Sequence, residues 1–349
     1  MLTQHPRGLP RPSTSSGRPE RVEGHRSDLR KAARRREVSV AFAILMLCVV
    51  MAVMRPAYFA ADNLNDLFLA TLPVLIVAAG MTLVILTGEI DISVGSLFAV
   101  CGIVAGVLAK AGVPLVLVVP VVCVLGASIG ALGGTLVAVL GLPSIVVTLA
   151  MMIGLRDALR WITQGAWVQN LPATFQWFGL PQTAFPAIAG LMTIVVFAGF
   201  SWSLRYTAAG RLLYLTGSNA EAARLAGINT VRVKIAAFGC LGALTALAAI
   251  LNSVRFGQIP PNAGLGLEMK VIAAVVVGGT AITGGRGTLA GTLLGVVLLG
   301  AIGPALTYLG VSAYWERAIQ GAIILVAVGL NVLPSGARIF ARSPRAARA

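Results

Sequence analysis

Apolar runs long enough to cross a lipid bilayer recur along almost the whole sequence. A transmembrane helix needs ~20 apolar residues, and about ten runs approach that length, at 38–54, 67–86, 92–109, 114–140, 143–162, 186–204, 235–250, 269–282, 289–309 and 318–333. Hydrophobic residues make up 57% of the chain and charged residues 11%, whereas soluble domains carry ~25% charged residues. One water-soluble core cannot bury so much apolar surface. The predicted fold is therefore an all-α polytopic membrane protein with about ten transmembrane helices.

The basic residues predict the domain boundaries and the orientation. Residues 1–37 are rich in Pro, Ser, Gly and Arg and are expected to form a disordered basic tail, 38–333 the transmembrane domain, and 334–349 a second basic tail. An uncleaved first helix is favoured over a signal peptide, because the basic stretch before it is long and more spans follow. Most of the 27 Lys and Arg residues lie in the two tails and in the loop 205–234. Basic residues mark the cytoplasmic ends of spans, so both termini and this loop are predicted to be cytoplasmic. Their placement beside spans also argues against nucleic acid as a partner.

Residues suited to metal binding or catalysis are scarce. The two histidines lie in the N-terminal tail, and the cysteines stand in apolar runs without ligand spacing, at Cys48, Cys101, Cys123 and Cys240. The sequence also lacks the Gly-x-x-x-x-Gly-Lys-Ser/Thr pattern of a P-loop, so any ATP used must be hydrolysed by a partner. We expect no metal, no cofactor bound by this chain and no enzymatic activity.

Two carboxylates, Glu89 and Asp91, interrupt the junction of the second and third runs in "LTGEIDISVGSL". Asp91 is placed to cap the third helix, whose N-terminus favours negative charge. Gly88, Gly95 and Ser96 would allow close packing around the helix entry. A gate role requires instead that the second span break at Gly88 or Pro73 and lift this segment into the membrane. Capping and gate architecture are both favoured over direct substrate binding.

The loop 205–234 contains a short helix-forming stretch, "EAARLA", in its middle. Ser218 or Asn219 is expected to cap its start, and Gly227 to end it. An isolated amphipathic helix in such a loop suits a groove on a partner protein. Alternatively, Glu221 only stabilises the helix through its dipole.

Two other segments are unusual. The run 269–282 is too short for a straight span and is followed by "TGGRGT", which predicts a broken or re-entrant helix. The loop 163–185 is the longest predicted external loop, and four of its aromatic residues form either an interfacial belt or a docking surface: Trp167, Phe175, Trp177 and Phe178.

Polar residues within the runs have mainly structural interpretations. Asp157 and Arg160 are three apart and are expected to pair, close to Arg156. Hydroxyls at Thr82, Ser128, Thr148 and Thr245 are expected to bond their own helix backbone. An ion-coupled secondary transporter remains the alternative function, but it would need acidic residues near the membrane midplane. Glu89, Asp91 and Asp157 all lie toward span ends, which disfavours it.

Four segments in order resemble the ribose-type sugar permeases of bacterial ABC importers. "TGEIDISVGS" is similar to the signature G-G-I-D-L-S-V-G-S of that family, with Glu89 in place of the second Gly. "GLPSIVVTLAMMIG", "GSNAEAARLAGINTVRVK" and "AAVVVGGTAITGGRGTLAGTLLG" resemble three further segments, and the similarity runs from Leu67 to Leu333. "EAARLAG" matches the E-A-A-x-x-x-G core of the loop that engages the ATPase, although the I-x-L-P continuation is absent. The external loop and the variant signature look closest to the rhamnose and autoinducer-2 branch.

This resemblance implies a permease subunit in a bacterial inner membrane. Its implied partners are a second permease, two cytoplasmic ATPases and an external substrate-binding protein. It implies ATPase coupling by Glu221, Ala222, Ala223 and Gly227. It also implies a signature or gate role for Gly88, Asp91, Ser93, Gly95 and Ser96. The expected broken-helix and packing residues are Gly278, Gly279, Gly284, Gly285, Arg286 and Gly287. The substrate-contacting residues stay unassigned.

Overall fold

The computed structural model describes residues 19–312 together with 315, 318, 319, 321, 322 and 325, and side chains from Glu37 onward. This part of the chain is all-α, with one isolated antiparallel bridge between Val168 and Ile259 and no strand. Its helices are α1 Pro19–Met54, α2 Ala61–Leu86, α3 Val94–Lys110, α4 Leu115–Leu140, α5 Ser144–Thr163, α6 Phe185–Tyr206, α7 Ala208–Ser218, α8 Ala220–Leu225, α9 Thr230–Ser253, α10 Leu267–Val277 and α11 Leu289–Tyr308.

Six helices in the described part are long and apolar enough to cross a membrane. They are the Glu37–Met54 part of α1 together with α2, α4, α6, α9 and α11. The apolar helix α3 is shorter, with 17 residues. The predicted span 318–333 lies almost entirely outside the described residues. The first helix begins at Pro19, within the segment 1–37 that was expected to be disordered, and a proline is well tolerated at a first helical position.

The helix α2 forms the centre of the bundle. Its side chains are buried without interruption from Leu72 to Leu86, which is typical of a helix surrounded by other helices. The helices α9, α6, α10 and α11 pack around it. A smaller separate core joins Met51 of α1 to Tyr58 and Ala305.

Glycines allow α4 and α9 to pack with their backbones in contact. A Cβ atom on Gly126 or Gly130 of α4 would overlap the carbonyl oxygen of Gly242 or Phe238 in α9. Small residues at such spacing are the usual means of close approach between membrane helices.

The chain between α9 and α11 is a broken segment. After Ser253 it runs without helix along α3, so that Ile259 contacts the Gly102 and Gly106 positions and Gly264 contacts Gly95. The following helix α10 has 11 residues, or about 16 Å of rise, which is half of a ~30 Å hydrocarbon core. A second non-helical stretch, 278–288, leads to α11. The short run 269–282 therefore forms a half-length helix, and the non-helical part before it was not predicted.

Candidate functional site

The short helix α8 has the ends that its sequence predicts. The Asn219 side chain accepts a hydrogen bond from the Ala222 N–H at 2.9 Å, so Asn219 is the N-cap. Ser218, the other candidate, instead donates to the Tyr214 carbonyl at 2.7 Å. Gly227 follows the last turn with φ of 81°, a left-handed conformation that glycine adopts without strain.

The helix α8 presents an exposed face. Glu221 and Ala222 are exposed, and the Leu225 side chain is 87% exposed. Ala223 points inward and is buried. The surrounding segment is more helical than expected, because α7 occupies most of the first half of the predicted loop 205–234. Its N-cap Thr207 accepts from the Gly210 N–H at 3.2 Å.

Three segments that are distant in sequence meet where α7 ends. The Gly285 N–H donates to the Leu86 carbonyl at 2.9 Å, and the Tyr214 hydroxyl donates to the Gly287 carbonyl at 2.8 Å. A Cβ on Gly217 would overlap the Leu86 carbonyl oxygen. A Cβ on Gly284 would lie 2.8 Å from the Gly88 nitrogen. We call this contact of α7 with the ends of segments 86–88 and 284–287 the glycine junction.

The other residues of the predicted packing group lie outside the glycine junction or at its edge. Gly278 packs against α11, where a Cβ would overlap the Gly291 carbonyl, and Gly279 has φ of 98°. Arg286 is exposed, and its carbonyl accepts the Ala281 N–H at 2.8 Å.

Asp91 does not cap α3, contrary to the prediction. The helix begins at Val94 with Ser93 as its N-cap residue. The Asp91 carboxylate instead accepts hydrogen bonds from the Ser93 N–H at 2.8 Å and the Ser93 hydroxyl at 2.6 Å. A short carboxylate side chain reaches the backbone two residues on more readily than the first turn beyond it. Asp91 therefore orders the turn before the helix, where it is 2% exposed.

The signature turn, residues 87–93, rises into the bundle. The Ile90 N–H donates to the Ser144 hydroxyl, at the start of α5, at 3.3 Å. The Ser96 hydroxyl donates to the Met152 carbonyl at 2.7 Å. Met152 lies eight residues beyond Ser144, or about 12 Å further along α5 at ~1.5 Å per residue. The chain thus advances along α5 between the signature turn and the first turn of α3.

Arg156 and Glu268 lie together inside the bundle, which the sequence did not predict. The buried Arg156 guanidinium donates to the carbonyls of Ala263 at 2.9 Å and Pro261 at 3.4 Å, in the non-helical chain before α10. Glu268, in the first turn of α10, is 8% exposed and lies within electrostatic reach of Arg156. Its Oε1 accepts the Gly266 N–H at 3.2 Å, whereas Oε2 has no hydrogen-bond partner in the described part of the chain.

In addition to Glu89, Asp91 and Asp157, the chain has a buried acidic residue, Glu268, at the start of the half-length helix α10. A Cβ on Gly95 would overlap its Oε2, so the carboxylate lies beside the start of α3, at the level reached by the signature turn. The sequence could have indicated a role for Glu268, because an acidic residue directly before a short apolar run is costly in a membrane unless it is paired or functional.

The remaining polar residues behave as predicted. Arg160 and Asp157 pair at 3.5 Å, with both side chains exposed. Four hydroxyls bond the carbonyl four residues earlier, at Thr82, Ser128, Thr148 and Thr245. No cluster of His, Cys, Asp or Glu suited to a metal occurs among the described residues.

The aromatic residues of 163–185 do not form one exposed surface. Phe175 is buried, and Trp177 and Phe178 pack against Phe185 with ring centroids 5.1 and 5.7 Å away. The Trp177 N–H also donates to the Val254 carbonyl at 2.8 Å. Trp167 is 46% exposed. The prediction of a docking surface made of all four residues is therefore wrong.

Comparison with known proteins gives consistent matches over most of the chain. A family described as "Branched-chain amino acid transport system / permease component" matches residues 63–328. The ribose import permease protein RbsC of Escherichia coli K12 is 38% identical over 82% of this chain and 90% of its own length. The autoinducer 2 import system permease protein LsrC of Escherichia coli O157:H7 is 37% identical over 83% of this chain and 85% of its own. No solved structure gives a significant match to the chain.

Proposed function

Because the chain belongs to the family of branched-chain amino acid transport system permease components, we propose that it forms the translocation pathway of an ATP-driven importer for a monosaccharide or a sugar-like small molecule. It is a multi-pass membrane permease of ribose type, as the four sequence segments predicted. The single observation that carries the proposal is the match to two import permeases along more than four fifths of the chain. An ion-coupled secondary transporter has no comparable support.

The assembly is the usual one of an ABC importer. We propose a second permease, either another copy or a related chain, two cytoplasmic ATPases and an external binding protein in a bacterial inner membrane. We propose about ten spans with both termini cytoplasmic, since the basic residues of both tails and of 205–234 support that orientation. ATP is hydrolysed by the partner subunits.

The helix α8 is the proposed contact with the ATPase. Its capped ends and its exposed Glu221 and Leu225 suit a groove on a partner that carries a basic residue. Ala222 and Ala223 keep the helix narrow, and Gly227 makes the turn beneath it. Closure of the ATPases would move α8 and switch the access of a central cavity, with the signature turn as part of the gate.

Replacing Glu221 by Arg tests this coupling. In a complex co-expressed with the neighbouring ATPase, we expect Glu221→Arg to reduce the ATPase recovered with the permease at least about tenfold, because a new cation would face the partner's basic residue. Uptake of labelled D-ribose, with autoinducer 2 as competitor, should fall in parallel. Asp62→Arg, which reverses an exposed charge in the first turn of α2, is the matched control. Intact association and uptake in Glu221→Arg would reject α8 as the coupling helix.

A further inference from the structure

An ion pair joins the base of α9, which follows the loop that contains α8, to the signature turn. We propose that the ion pair of Glu89 and Lys234 is a positioning contact that carries movement of α8 to the signature turn. This inference rests on the proposed coupling function and names two residues that act within it.

The pair is held partly out of water. The Lys234 ammonium bonds the Glu89 carboxylate, with side-chain exposures of 22% and 14%. An ion pair at this depth is screened less than a surface pair, and removing one partner leaves the other charge poorly solvated. The contact therefore resists separation more strongly than an exposed pair such as Asp157–Arg160.

A continuous chain of contacts leads from α8 to Lys234. The Arg224 Nε of α8 donates to the Thr230 hydroxyl at 3.0 Å, and Thr230 is the first residue of α9. The Asn229 side chain caps that helix by accepting the Arg232 N–H at 3.0 Å. Lys234 lies in the second turn of the same helix, so a tilt of α8 is transferred to the base of α9.

On the other side, Glu89 is joined to the gate. Its N–H donates to the Val84 carbonyl at 3.3 Å, which ties it to the last turn of α2. Two residues later Asp91 orders the turn through Ser93, directly before α3. The glycine junction holds residues 86–88 against α7 by backbone contact. The signature turn is thus held by α2 and α7, by the Ser144 hydroxyl of α5 and by Lys234, and of these contacts the Glu89–Lys234 pair joins side chains of opposite charge.

Glu89 is a departure from the ribose-type signature. The ribose-type signature has Gly where this chain has Glu89, and a glycine has no side chain to pair with Lys234. The variation in the signature is therefore matched by a cation from the coupling segment.

A nucleotide-dependent labelling experiment tests the link in the full complex. Ile90→Cys in the signature turn, in a chain whose four native cysteines are replaced, is alkylated with a maleimide with and without Mg–AMP-PNP. The same samples report the ATPase retained on co-purification. We expect the nucleotide-dependent change in labelling rate to fall about tenfold in Glu89→Gln and in Lys234→Met. ATPase retention should stay unchanged. Lys110→Met, at the far end of α3, is the charge-matched control.

The exchanged pair Glu89→Lys with Lys234→Glu should restore the response, which a loss of folding in the single variants would not predict. The proposal is overturned if the single variants keep the response within about twofold, if the exchange fails to restore it, or if Ile90→Cys alone shows no response to nucleotide. A failure of the proposed function looks different, because the ATPase would then not co-purify with the unaltered chain.

Discussion

Arg156→Met should destabilise the protein, because the Arg156 guanidinium is buried and holds the non-helical chain before α10. Two backbone carbonyls of the non-helical chain before α10 would lose their donor, and Glu268 would lose the favourable interaction with the Arg156 charge. Leaving buried polar groups unsatisfied costs ~1–3 kcal/mol each, so we expect about 3 kcal/mol in total. With an unfolding entropy of ~2.1 cal/mol/K per residue, this corresponds to a fall in Tm of roughly 4 °C. Thermal unfolding of the detergent-solubilised permease, followed by size-exclusion chromatography, measures the change.

Two further variants test the cause. Arg160→Met removes an exposed cation one turn along α5 and should leave Tm within about 2 °C, since exposed pairs contribute little. Adding Glu268→Gln to Arg156→Met should recover part of the loss, because the uncompensated charge disappears. If Arg160→Met lowered Tm as much as Arg156→Met, the carbonyl contacts would not be the reason.

Gly242→Ala should separate α4 from α9 and cost nearly as much. The added Cβ would overlap the carbonyl oxygen of Gly126, which is backbone and cannot rotate away. Overpacking a close contact costs ~1–3 kcal/mol, more than the ~1 kcal/mol that Ala gains over Gly in helix propensity. We expect Tm to fall by about 3 °C in the same assay.

Gly239→Ala is the matched control on the same helix. Its Cβ would lie 3.4 Å from the nearest atom, the Ala127 carbonyl oxygen, which is an ordinary contact. The propensity gain should therefore dominate, and Tm should stay unchanged or rise slightly. A similar loss in both variants would indicate that glycine flexibility, and not close packing, is required along α9.

The helical elements were largely predictable because lipid imposes a simple rule on sequence. A span must be apolar for about 20 residues and must satisfy its own backbone, so α2, α4, α6, α9 and α11 appear directly as apolar runs. The ends of α8 were predictable for a similarly local reason. An Asn that caps and a Gly that adopts a left-handed conformation act within a few residues of the helix they bound.

The contacts between distant segments were not predictable in the same way. Asp91 was expected to cap α3, but it bonds Ser93 in a turn whose height depends on α5. Arg156 was noted only as a neighbour of the expected Asp157–Arg160 pair, although its partners are carbonyls more than a hundred residues away. Glu89 had no assignment until Lys234 was found beside it.

The sequence by itself therefore determined the membrane-spanning class, the permease family and the ends of α8, because hydrophobic length and local capping are properties of consecutive residues. Only the tertiary structure decided where the acidic residues of "TGEIDISVGS" lie and what they contact. Their partners come from α9 and from the turn itself, and the depth of that turn is set by packing against α5 and against the broken segment before α10.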